Sequence, residues 1–170
     1  MTVYVALLRA VNVGGTGTLT MKDLRALCTG LGFENVRTYI QSGNVVFESK
    51  LSAAALQKKL ETALSEKTGP QAGVLIRTAA ELSAALEANP FPRAMPARVA
   101  VVFLDKPAPS NLLSGLVIPG REEVKVVGRE IFVHYPDGIG RSKLKLPPLA
   151  TQGTARNLNT VGKLVVLAET

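Results

Sequence analysis

The sequence has no tryptophan, one cysteine and one histidine. The lone Cys28 excludes an internal disulfide and implies no oxidising compartment. The lone His134 excludes any site that needs two histidines from one chain. Cysteine pairs, histidine pairs and an Asp-x-Asp spacing are all missing, so neither a metal nor a cofactor is expected. No apolar run approaches the length of a membrane span, and the start of the chain lacks a basic region followed by an apolar run and a cleavage site. The expectation is a cytoplasmic protein with no membrane partner. Acidic residues are also scarce: 13 Asp and Glu stand against 20 Lys and Arg, a net charge of +7. That balance favours polyanions, acidic surfaces or phosphorylated ligands.

What is present is a globular balance, 46% hydrophobic and 19% charged over 170 residues. A chain of this length buries roughly 70% of the surface it exposes unfolded. Residues 3–12 read as a strand apolar on both faces, hence central in its sheet. Thr20 is an N-cap residue for a helix to about Leu31, with Leu24, Leu27, Cys28 and Leu31 on one face. Residues 36–41 and 44–48 read as strands joined tightly through Ser42-Gly43. Residues 52–67 form a second helix and 73–77 a short strand. The order β-α-β-β-α-β over residues 1–77 predicts a ferredoxin-like plait, an antiparallel sheet with helices on one face.

A third helix over 78–88 and the proline-rich link "NPFPRAMP" (89–96) lead into the second half, residues 78–170. There, 98–104 reads as a strand, 109–116 as a short helix, and 124–127 with 130–135 as a hairpin turning at Gly128-Arg129. Thr154 is read as the cap of a last helix. "GNVVFE" (43–48) and "GREIFVH" (128–134) occupy matching places, so the chain reads as α+β with two plait units, a loose duplication. A closing strand for the second sheet is not evident.

The stretch "YVALLRAVNVGG" (4–15) starts as a core strand and ends in a polar, glycine-rich segment. In a plait the end of the first strand meets the start of the third. That brings Arg9, Asn12, Gly14 and Gly15 toward Gln41, Ser42 and Asn44, beside the free N–H groups at the first helix start. One guanidinium, several amides and a hydroxyl suit a phosphate or carboxylate. The competing reading is that these residues only shape turns and pair Arg9 locally. "GGTGTL" is neither a P-loop nor the dinucleotide fingerprint. Ser42 lies outside any nucleophile elbow.

A second basic cluster lies late in the chain. Between Gly138 and Ala168 stand Arg141, Lys143, Lys145, Arg156 and Lys163, with no Asp or Glu. "TARNLNT" (154–160) adds Asn157 and Asn159 at a helix start, a second anion seat or simply a capped helix. Phe47 and Phe132 are the candidates for stacking bases, as RNA-binding plaits do. His134 and Cys28 read as structural, and Glu122-Glu123 as a solvated pair.

"LLRAVNVGG" (7–15), "RTYIQSGNVVFES" (37–49), "HYPDGIGRSKL" (134–144) and "TARNLNTVGKL" (154–164) resemble the signatures of the family called domain of unknown function 1697. The resemblance implies two α/β-plait units and a bacterial, cytoplasmic setting, and it carries no catalytic residue to transfer. The sequence departs from that pattern at Ala10, where the family usually has Gly. It departs again at Leu158, where the family usually has Trp, so a stacking role for that ring does not carry over. The functional expectation is a binding module for an anionic or phosphorylated ligand, a nucleotide or RNA among them. Two readings stand beside it: a small enzyme using guanidinium and amide groups for electrostatic stabilisation, and a module that pairs with itself as a homo-oligomer.

Overall fold

The structure is a computed structural model, and it describes residues 1–9, 19–39 and 43–170. It divides into two compact units. One comprises Met1–Leu82 with Leu164–Thr170, the other Ser83–Lys163. The sequence boundary at 77 thus moves into the third helix, and the last residues return to the first unit.

The first unit holds β1 (Thr2–Arg9), α1 (Met21–Gly30), β2 (Glu34–Tyr39), β3 (Asn44–Ser49), α2 (Ala53–Thr68) and β4 (Gly73–Thr78), followed by α3 (Ala79–Glu87). The sheet order is β2-β3-β1-β4, and all its pairings are antiparallel. This is the order expected of a plait. The first helix starts where the sequence places its cap, and Ser52, read from the sequence as the first residue of the second helix, caps that helix instead. Thr20 Oγ1 accepts from Asp23 N at 3.0 Å, and Ser52 Oγ accepts from Ala55 N at 3.2 Å. These bonds satisfy donors that the first turn leaves unpaired.

On one sheet face, Tyr4, Ala6 and Leu8 share a core with Val45, Phe47, Leu24, Cys28, Leu56, Leu60 and Leu64. Full burial of each such leucine contributes about 1.5–3 kcal/mol. The other face is buried too: Val5, Leu7, Val46 and Leu75 are all shielded, as is the charged Arg77. That explains why the opening strand is apolar on both sides. Arg37 on β2 donates from Nη1 to Leu167 O at 2.5 Å, tying the end of the chain to this unit.

The second unit holds β5 (Val99–Phe103), β6 (Glu123–Val127), β7 (Glu130–His134) and β8 (Thr154–Asn157), then the start of α4 (Leu158–Glu169). Its sheet order, β6-β7-β5-β8, repeats that of the first unit, so the duplication read from the hairpins holds for strand order. The β6–β7 hairpin turns at Gly128-Arg129, with Val127 opposite Glu130. The connections differ from the first unit. The helix expected over 109–116 is a series of turns, with i→i+3 bonds such as Leu112 N to Pro109 O. Gly115 takes a left-handed φ of 78° there, which stops the helix before it is long enough to persist.

Thr154 does not cap the last helix. It opens β8, the closing strand that the sequence left unassigned, paired with β5 from Phe103–Thr154 to Ala100–Asn157. The cap is Asn157, whose Oδ1 accepts from Asn159 N at 2.7 Å. The core of this unit joins Val102, Leu104, Ile131, Val133 and Ala150, with Leu112, Val124, Tyr135, Leu144 and Leu146 packed on it.

Candidate anion-binding site

The end of β1 does meet the start of β3. Leu7 stands opposite Asn44, and Leu8 N donates to Gly43 O at 2.9 Å. Gly43 has a φ of 76°, and a Cβ there would lie 2.9 Å from Cβ of Leu8, so this turn needs glycine. Asn44 is buried and donates from Nδ2 to Tyr39 O at 3.1 Å, closing the hairpin. Arg9, half-exposed, stands opposite Gly73 on β4. Its guanidinium lies across that glycine, with Nη2 only 2.7 Å from where a Cβ would be. The remaining members of this cluster, Asn12, Gly14, Gly15, Gln41 and Ser42, lie outside the described residues.

The second cluster separates into groups with different surroundings. Arg156 is buried in β8 opposite Val101, and Nη1 donates to Thr154 Oγ1 at 2.7 Å and to Ala155 O at 2.9 Å. Burial pushes its guanidinium down to about 10. Asn157 uses both ends of its amide: Oδ1 caps α4, and Nδ2 donates to Ala97 O at 2.9 Å. Asn159 is exposed on the first turn of α4.

Arg141 and Lys143 come together. Both line a pocket of about 190 Å³ after β7, with Tyr135, Asp137, Gly120 and Glu122. Asp137 bonds to Arg121, and that hydrogen bond, aided by the charges of Arg121, Arg98 and Arg141, holds its carboxyl below the usual range. Burial, then the charge of Glu122, raises the Tyr135 phenol.

The segment Arg141–Leu146 alternates. Arg141, Lys143 and Lys145 are exposed, whereas Ser142, Leu144 and Leu146 are half-buried. Leu144 and Leu146 pack onto the core of the unit. Lys143 and Lys145 also line a second, larger groove of about 540 Å³ with Leu112, Leu116, Val117 and Leu146. The basic residues of this segment were legible in the sequence as "RSKLKL" (141–146). The groove was not, because its other wall comes from residues about 30 positions earlier.

The stacking candidates are not offered to solvent. Phe47 is fully buried, with its ring 4.3 Å from that of Phe33 and 5.9 Å from that of Tyr4. Phe132 is fully buried as well. His134 takes its place in the sheet, 3.5 Å through Nδ1 from Glu123 Oε1 and with its ring 5.6 Å from that of Phe91. Among the described residues no three His, Cys, Asp or Glu side chains gather as a metal site.

The family described as Protein of unknown function (DUF1697) matches residues 1–132. The chain belongs to this family. Among solved structures, this DUF1697 chain is similar to the conserved bacterial protein SP0830 from Streptococcus pneumoniae, with 29% identity and a TM-score of 0.79 over 98% of each chain. No curated protein matches it. Among the described residues, no helix is long and apolar enough to cross a membrane.

Proposed function

We propose that this chain is a binding module for an anionic ligand, phosphorylated or carboxylated, seated on the second unit along Arg141–Leu146. The observation that carries this reading is the alternation of that segment. Two leucines anchor it to the core while three cations are left in solvent. The packed leucines fix the backbone that carries the cations, so the segment itself need not be ordered when a ligand arrives. Base stacking is not part of the proposal, because Phe47 and Phe132 are buried. A bacterial cytoplasmic setting belongs to the same reading, supported by the single cysteine and by the bacterial origin of the structural relative.

The test is a titration of the whole chain with phosphate, ADP and octanoate at low and high salt. It is repeated on the double variant K143Q/K145Q and on Arg9→Ala. At least one anion is expected to bind, to weaken with salt, and to lose about tenfold in affinity in the lysine variant, a loss of ~1.4 kcal/mol. Binding lost in Arg9→Ala but kept in the lysine variant would move the seat to the end of β1. Failure of every anion to bind would overturn the reading.

A further inference from the structure

We infer that the ligand is an amphipathic anion: a medium-chain acyl carboxylate with its head on Lys143 and Lys145 and its chain in the adjoining groove. This rests on the anion seat proposed above and names its ligand class. The groove is walled by Leu112, Leu116, Val117, Leu146, Pro147 and Pro148. Its volume, about 540 Å³, falls among those that take small molecules, ~300–1,000 Å³. Lys143 and Lys145 are the charged groups in its lining, and no Asp or Glu lines it.

The charge distribution gives the ligand a direction. Glu122 and Asp137 lie in the smaller pocket, on the Arg141 side of Lys143. Those carboxylates are offset there by Arg141, Lys143 and the Arg121 that pairs with Asp137, whereas the groove carries the two lysines with no acidic residue beside them. The two ammonium groups can hold a carboxylate head, and the apolar walls beside them favour an anion that carries a chain over a bare one. The lysine stems extend the apolar wall while their heads stay in water.

The apolar part is also marked. Val117 is 77% exposed and Ile118 is 38% exposed, next to the groove rather than scattered over the surface. A bare phosphate would leave these walls wet. A nucleic acid would find no aromatic ring among the groove's lining residues on which to stack. An acyl chain covers them, and each methylene it buries favours binding roughly fourfold.

The experiment follows leucine and valine methyl resonances of the whole chain during titration with octanoate, acetate, 1-octanol and inorganic phosphate. Octanoate is expected to bind at least about 30-fold more tightly than acetate and to shift the methyls of Leu112, Leu116, Val117 and Leu146. K143Q/K145Q should weaken octanoate about tenfold and leave 1-octanol unchanged. Val117→Asp, at an exposed position, should weaken both chains and keep the melting temperature.

Acetate or phosphate binding as tightly as octanoate would overturn the amphipathic ligand and leave the anion seat standing. Equal binding of 1-octanol and octanoate, indifferent to the lysine variant, would overturn the anion seat itself. Octanoate shifts confined to methyls outside the groove would overturn the inference as well.

Discussion

Arg9 and Gly73 face each other across β1 and β4, and the guanidinium of Arg9 fills the space a side chain at 73 would take. This relationship answers why a core strand carries an arginine near its end. The cation leaves the apolar face by lying flat over a neighbour that has no Cβ. Gly73→Ala brings a methyl to 2.7 Å from Nη2, and the mobile end of Arg9 gives way. The expected outcome is a displaced Arg9, seen as a shift of its Nε–Hε resonance, with stability changed by less than about 1 kcal/mol.

Gly153 provides the contrast. A Cβ there would lie 2.3 Å from the backbone oxygen of Phe103 and 3.1 Å from Leu104 Cδ2 and Val102 Cγ1. Backbone within a paired strand cannot swing aside. Gly153→Ala is expected to destabilise the second unit by at least about 2 kcal/mol. The urea midpoint measures it, and an unchanged midpoint would contradict the close packing of β5 against the residue preceding β8.

Cys28 lies wholly inside the first core, and burial pushes its thiol up to about 12. Native protein at pH 8 should resist iodoacetamide and react only after unfolding. The sign of the pH dependence follows from the raised value. The folded state holds the proton through a range where the unfolded thiol, near 9.0, gives it up. Stability is therefore full below pH 9 and declines above it. From pH 9 to 10 the loss attributable to this group is about 1 kcal/mol. Comparing denaturation of the chain with that of Cys28→Ala isolates it, because the alanine variant lacks that slope.

Thr78 and Glu81 exchange bonds at the start of α3. Thr78 N donates to Glu81 Oε1 at 2.9 Å, and Glu81 N donates to Thr78 Oγ1 at 3.0 Å. This is a capping box, with two orphan donors satisfied reciprocally. Thr78→Ala should cost about 1 kcal/mol in chemical denaturation. A change within error would mean that packing of α3 outweighs its cap.

The exposed pair Arg121 and Asp137 is a charge matter more than a stability matter. Arg121→Ala should let the Asp137 carboxyl return toward its ordinary value, read from its carbon resonance against pH. Because the folded value is lowered, the pair's support is present above the unfolded carboxylate range and fades as pH falls through the folded value. Solvent screens the pair, so the melting temperature should barely move.

The first unit was legible because its signals are local. The cap at Thr20, leucines at helical spacing and a strand apolar on both faces each report their own surroundings. Periodicity and capping depend on neighbours within a few residues, and the sequence shows those directly. The basic character of this late segment was visible in the same way, but its alternating burial was not.

The rest depended on pairing across distance. Four residues from Thr154 become β8 only because β5 has an edge to receive them, an event that local propensity does not encode. The same pairing turns Arg156 from an exposed candidate ligand into a buried strand residue and gives Asn157 the cap that Thr154 was expected to provide. Phe47 and Phe132 look like stacking surfaces until the sheet faces are covered. The amino-acid order by itself determined the α+β class, the plait order of the first unit and the basic segment. Only the tertiary structure decided which cations remain in water and which groove lies beside them, because burial is set by contacts between residues far apart in the chain.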